Sequence, residues 1–66
     1  MDYKTTSAFE DKFVVLRTKR RETFYCRVVS VQPAFVDIED FTQDVSLRLP
    51  LESVVSIKID KITMML

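Results

Sequence analysis

Residues 23–40 read TFYCRVVSVQPAFVDIED and consist of two apolar runs separated by one proline. From Phe24 to Val28 every second residue is apolar, and the apolar positions then change parity at Val29. Alternation with a period of two is typical of a strand with one buried face, and a change of parity indicates a β-bulge that bends the strand. We therefore predict a long, bent strand over residues 23–32.

The proline of this segment predicts a tight turn. Pro33 has no amide hydrogen to donate to a sheet ladder, so the QPA step at residues 32–34 is expected to reverse the chain direction. The following run alternates again, because Ala34, Val36 and Ile38 are separated by Phe35, Asp37 and Glu39. This alternation predicts a third strand with one face in water.

Three more apolar runs flank this pair. The first run, residues 13–16 (FVVL), is followed by a basic turn, RTKRRE. The second, residues 45–49, follows the turn EDFTQD and ends at Pro50. The third, residues 53–59, comes directly afterwards. Short strands joined by short connections predict an all-β fold, a small, strongly bent five-stranded SH3-like barrel. The predicted organisation is an N-terminal arm or short helix at 1–11, the barrel at 12–60 and an apolar tail at 61–66.

The composition favours self-association. A chain of 66 residues buries only about 60% of its unfolded surface, and its core alone stabilises it marginally. Cys26 is the single cysteine and there is no histidine, so neither a disulfide framework nor a zinc site can supply the missing stability. A second copy of the chain is the partner that remains.

The order of these elements resembles the Sm-like family, which includes the LSm and Hfq-like proteins. Residues 12–40 (KFVVLRTKRRETFYCRVVSVQPAFVDIED) are similar to the first motif of that family, and residues 45–59 (VSLRLPLESVVSIKI) to the second. The resemblance implies an Sm-like barrel, assembly into a hexameric or heptameric ring, and binding of single-stranded RNA. The family usually bends its second strand at a glycine, and this chain has none.

Basic and outward-facing aromatic side chains are the candidates for contacting RNA. The hairpin turn carries Arg17, Lys19, Arg20 and Arg21, four cations that suit a phosphate backbone, although a solvated turn with Glu22 as a partner is the alternative interpretation. Tyr25 and Phe35 are expected to stack on bases, whereas Phe24 has the parity of the core. The predicted RNA-binding residues are Arg20, Arg21, Tyr25, Arg27, Gln32, Phe35 and Arg48.

The last two strands are the expected contact between subunits. Bare strand edges with apolar side chains promote aggregation, and closing a ring satisfies both the backbone and the side chains. The predicted interface residues are Leu47, Leu49, Leu51, Val55 and Ile57, with additions from Phe41 and residues 64–66. The acidic residues Asp37, Glu39, Asp40 and Asp44 are interpreted as a solubilising edge, or as the surface that meets the basic hairpin of a neighbour.

Catalysis and cofactor chemistry have no support in the sequence. There is no histidine and no glycine-rich phosphate loop, the acidic spacing fits no metal-binding loop, and Cys26 is expected to be a buried apolar residue. We predict no enzyme activity, no cofactor, no metal site and no small-molecule substrate. The absence of a long apolar run predicts no membrane contact, and the single cysteine favours the cytoplasm.

Two other functional interpretations remain open. The chain can instead be read as a structural or protein-interaction module that forms a ring without nucleic acid, which its net charge of zero favours. A small β-rich RNA-binding dimer like the carbon-storage regulators ranks last, because the opening motif of that family is missing.

Overall fold

The computed structural model describes residues 1–61, which form five antiparallel strands in one sheet after a short helix. The all-β class is therefore confirmed. The tail prediction, apart from Lys61, lies outside the described residues. In chain order the elements are α1 (Tyr3–Ser7), β1 (Phe13–Thr18), β2 (Thr23–Val31), β3 (Phe35–Asp40), β4 (Val45–Pro50), a 3₁₀ turn (Leu51–Ser53) and β5 (Val54–Ile59).

The strand order across the sheet is β4-β3-β2-β1-β5. Strands β1 to β4 form a meander, in which each strand pairs with the next, and β5 returns to pair with β1. Within residues 1–61 no ladder joins β4 to β5. The last two strands of the chain are therefore the two outer edges of the sheet.

The bulge predicted in β2 is present. Val28 pairs with Ile38 and Ser30 pairs with Asp37, so Val29 is the extra residue and its side chain is exposed. Val31 then returns to the buried face. The bulge provides a bend that does not require glycine.

A second bulge, in β5, was not predicted. Arg17 pairs with Ser56 and Thr18 pairs with Val54, so Val55 is the extra residue. The bulge turns Val55 outward and Val54 inward, so Val55 and Ile57 do not share a face.

The core lies on one face of the sheet. It consists of the buried apolar side chains Val14, Leu16, Phe24, Cys26, Val28, Val31, Val36, Ile38, Leu51, Val54 and Ile57. Leu51 and Ile57 were predicted as interface residues. Their side chains are already buried within their own subunit, so they offer little exposed apolar area to a neighbour.

Helix α1 is fixed to the sheet at its start. The Asp2 carboxylate accepts a hydrogen bond from the Thr5 amide at 2.7 Å, and the buried Thr6 hydroxyl donates to the Asp2 carbonyl at 2.7 Å. The Met1 amino group donates to the Leu51 carbonyl at 2.9 Å.

No helix in the described part of the chain has the length and apolarity needed to cross a bilayer.

Candidate assembly edges and nucleic-acid interface

Both outer strands expose apolar side chains. On β4, Val45 is 41% exposed, and Leu47 and Leu49 are half-buried. On β5, Val55 is 59% exposed and Ile59 is 37% exposed. An outer strand has backbone groups on its free side that can pair with another strand, and exposed apolar residues increase that tendency.

The β1–β2 hairpin ends in cations that have no ion-pair partner among residues 1–61. The Thr18 hydroxyl donates to the Glu22 carboxylate at 3.2 Å, and the Lys19 amide donates to the Ser53 carbonyl at 2.8 Å. No ion pair within the described residues involves the side chains of Arg17, Lys19, Arg20 or Arg21. Glu22 accepts the hydrogen bond from Thr18 and forms no ion pair with these cations within the described residues.

A row of side chains crosses the outward face of the sheet beside this hairpin. Val15 lies opposite Tyr25 on one side and Lys58 on the other. The Phe41 amide donates to the Tyr25 carbonyl at 3.0 Å, which places Phe41 at the end of the row. Tyr25 is 50% exposed. We call Val15, Arg17, Tyr25, Phe41 and Lys58 the outer platform.

The outer platform combines rings with cations. Phe41 packs against Phe13, with ring centroids 5.4 Å apart. Arg17 lies opposite Ser56, two residues along β1 from Val15. Neither Arg17 nor Lys58 has an ion pair within residues 1–61. An exposed ring next to unneutralised cations is the arrangement that holds single-stranded nucleic acid.

Arg27, a predicted RNA contact, is already paired. Its guanidinium donates to the Glu39 carboxylate on β3 and to the Asp11 carboxylate at 3.3 Å. The side chain is half-buried. Arg27 therefore connects the segment after α1 to the sheet, and its charge is compensated within the chain.

Arg48, Phe35 and Gln32 lie together at the β2–β3 turn. Arg48 Nε donates to the Asp37 carboxylate at 2.8 Å, and the Arg48 guanidinium lies 5.5 Å from the centre of the Phe35 ring. The Gln32 amide donates to the Phe35 carbonyl at 2.8 Å, which closes the turn. The structure thus brings together three of the predicted RNA-binding residues.

The Asp37 carboxylate compensates the charge of Arg48. The hydrogen bond from Arg48, followed by one from the Ser30 hydroxyl at 3.0 Å, lowers the pKa of Asp37 below its ordinary value. Asp37 consequently stays ionised to a lower pH than an ordinary aspartate, and the pair is lost only as the pH falls through that lowered pKa. At neutral pH Arg48 is therefore less available to a phosphate than the hairpin cations.

A cleft of about 520 Å³ separates the hairpin from the end of β4. Lys19 and Arg20 line one side, whereas Glu22 and Glu52 contribute opposite charge. The mixed charge gives this cleft no preference for an anion.

The acidic residues do not form the simple solubilising edge that was predicted. Asp40 is buried, and its carboxylate accepts a hydrogen bond from the Thr42 amide at 2.9 Å, which stabilises the β3–β4 turn. Asp44 is exposed in that turn at a φ of 56°. Within residues 1–61 no three potential ligands are grouped to hold a metal ion.

Cys26 is an inert part of the core. Burial raises the pKa of its thiol to about 12, and the charges of Asp40 and Asp60 act in the same direction. The thiol is therefore protonated throughout the neutral range and is not a nucleophile there.

The fold and these surfaces define a small all-β protein with two open sheet edges and an outward face that carries an exposed aromatic ring and cations. Comparison of the chain with protein-family models, with curated proteins and with solved structures found no match. Its function is therefore argued from its own residues.

The seven predicted RNA contacts occupy three separate places. Arg20 and Arg21 lie in the hairpin turn, Tyr25 and Arg27 on the outward face of β2, and the remaining three at the β2–β3 turn. Val15, a neighbour of Tyr25, and Lys58, the next residue in the same row, were missed. Their parity along β1 and β5 marks them as outward, but only the pairing of β1 with β2 and β5 shows that they extend the row from Tyr25.

Proposed function

We propose that the chain is a ring-forming, Sm-like barrel protein that assembles by pairing β4 of one subunit with β5 of the next. The observation that carries this proposal is the strand order, which leaves these two strands as the outer edges. Both edges expose apolar residues that an isolated subunit leaves in water. Pairing them covers those residues and provides partners for the free backbone groups.

The two edges differ, and this difference favours a ring. An interface between unlike surfaces is heterologous, and repeated heterologous contacts either close into a ring or continue as a filament. The bulges in β2 and β5 curve the strands, which supports a closed assembly. By resemblance to the Sm-like family, six or seven subunits are expected.

The native mass of the purified chain tests this proposal. We expect light scattering after size exclusion to give a single species with several times the 7.8 kDa mass of one chain. A small domain with two apolar edges gains stability by association. A mass of one chain at every concentration up to the millimolar range would contradict the proposal.

Binding of single-stranded RNA is the second proposed function, and the outer platform supports it. Tyr25 offers an exposed ring, and Arg17, which lies diagonal to it across the β1–β2 ladder, has no carboxylate partner in the described part of the chain. Stacking on aromatic rings is tolerant of base identity, while cations beside the ring hold the phosphates. The hairpin cations would extend the path of the backbone.

This assignment departs from the initial set of residues. Arg27 and Arg48 are compensated by Glu39 and Asp37, so the proposal rests on Arg17 and Tyr25 with Arg20 and Arg21. It is tested by comparing the RNA affinity of variants at Tyr25 and at the hairpin. An assembled protein that binds no RNA would instead support the structural, nucleic-acid-free module.

A further inference from the structure

Two depressions, one at the start of β4 and one along β5, are lined by residues of opposite charge. At the start of β4, a shallow depression of about 150 Å³ is lined by Glu39, Asp40, Phe41, Asp44, Val45 and Ser46. On β5, a depression of about 250 Å³ is lined by Val15, Arg17, Ser56, Lys58 and Ile59. The lining of the first has acidic but no basic residues, and the lining of the second has basic but no acidic residues.

The faces of the sheet restrict how the edges can pair. Leu47 and Val45 of β4 lie opposite the buried residues Ile38 and Asp40, so they have the parity of the core. Ile57 and Ile59 of β5 have the same parity, because they lie opposite Leu16 and Val14. Since opposite residues in a ladder share a face, an antiparallel pairing can place Leu47 against Ile57 and Val45 against Ile59 of the next subunit.

In that register the outward residues also match. Ser46 comes opposite Lys58 of the next subunit, and Asp44 lies diagonal to it, within reach of a long side chain. Arg48, on the other diagonal, is held by Asp37 of its own subunit. Glu39, the cross-strand partner of Ser46 on β3, already binds Arg27, so Asp44 is the carboxylate left for Lys58. The small Ser46 side chain leaves room for the lysine to lie across it. Asp60, which comes opposite Asp44, is buried within its own subunit.

Charge also distinguishes the antiparallel from the parallel arrangement. A parallel pairing would bring Asp44, which precedes β4, near Glu52, which precedes β5, so two carboxylates would meet. The antiparallel pairing brings Asp44 to the end of β5 that carries Lys58. Like charges placed together at an interface are unfavourable, whereas complementary charges fix orientation and register.

We propose that Lys58 of one subunit binds the acidic start of β4 in the next subunit, at Asp44, and thereby sets the orientation and register of assembly. The partner is a second copy of this chain, and the inference rests on the proposed edge pairing. It differs from the sequence-based interpretation, in which the basic hairpin meets the acidic residues. The hairpin adjoins Ser53, which precedes β5, and therefore lies at the opposite end of the pairing.

Two single substitutions test this contact. Lys58→Glu places a carboxylate against Asp44, and Ser46→Lys places a cation opposite Lys58. We expect each variant to raise the dissociation constant of the assembly by about tenfold or more at low salt, because attraction becomes repulsion at every interface. Analytical ultracentrifugation measures this constant, and the difference should shrink at high salt.

A mixture of the two variants provides the decisive result. The lysine introduced by Ser46→Lys then faces the glutamate introduced by Lys58→Glu, and the second interface retains the original Lys58 with its acidic partner. An equimolar mixture should therefore assemble, with near wild-type affinity where each variant alone does not, into species in which the two variants alternate. A ring with an odd number of subunits cannot alternate throughout, so the mixture should favour an even number. Lys4→Glu and Glu10→Gln are exposed controls that make the same changes in net charge away from both edges, and they should assemble normally.

The outcomes separate this inference from the proposed function. If the wild-type chain assembles and both variants assemble equally well, or the mixture gives no rescue, the ionic contact is wrong while edge pairing stands. If the wild-type chain stays monomeric at all concentrations, edge pairing itself is wrong. Far-UV circular dichroism verifies that each variant is folded, and rescue in the mixture can come only from folded chains.

Discussion

Val55→Lys should reduce the native mass of the protein to that of one 7.8 kDa chain. Val55 is the extra residue of the β5 bulge and is 59% exposed, so a lysine there has little effect on the isolated subunit. In the assembly, the same position lies on the edge that β4 of the neighbour covers. A lysine there removes apolar contact and places a charge in the interface, which is costly unless it is paired.

The control for Val55→Lys is a lysine at another exposed apolar residue that lies on neither edge strand. Tyr3 on α1 is 46% exposed, and Tyr3→Lys should leave the native mass unchanged. Light scattering gives the mass of both variants, and circular dichroism gives their fold. A Val55→Lys variant that keeps the wild-type mass would show that the β5 edge does not form the contact.

Tyr25→Ala should weaken binding of a single-stranded RNA oligonucleotide by about tenfold or more, since stacking contributes roughly 1–3 kcal/mol per base. Tyr25 is half-exposed, so its removal leaves the core intact.

The Arg20→Ala/Arg21→Ala variant should act differently, because these cations contact phosphates without reading bases. It should make the slope of log affinity against log salt concentration shallower by about 1.4, because each of the two lost phosphate contacts accounts for about 0.7.

Arg48→Ala is the control for loss of a cation. Asp37 already compensates Arg48, so its removal should change RNA affinity less than the loss of Arg20 and Arg21. Fluorescence anisotropy over a series of salt concentrations measures all three variants. Equal affinity of the Tyr25→Ala variant and the wild-type protein would exclude the outer platform as the RNA site.

Local patterns were sufficient to predict most of the strands. The change of parity after Val28 predicted the β2 bulge, and Pro33 predicted the turn that follows β2, because both features depend on neighbouring residues. The β5 bulge was missed for the opposite reason. Val54 and Val55 are both apolar, so either could face the core, and only the pairing with Thr18 determines that it is Val54.

The candidate site was harder to predict because it depends on contacts between strands. Arg27 and Arg48 have no evident partner in the sequence, but the strand register places Arg27 opposite Glu39 and Arg48 opposite Asp37. Register is set by turns and by the burial of a whole face, not by the charged residues themselves. The same register brings Lys58, distant in sequence, beside Val15, whose other neighbour is Tyr25.

Amide hydrogen exchange on the two outer strands is the most direct test of the central claim that β4 of one subunit pairs with β5 of the next. In the assembled wild-type protein, we expect slow exchange at the amides on the free edges of both Val45–Pro50 and Val54–Ile59, which have no hydrogen-bond partner strand within their own subunit. The same amides should exchange rapidly in the Val55→Lys chain, because they then face water. Protection of β4 alone, or of neither strand, in an assembled protein would contradict the account.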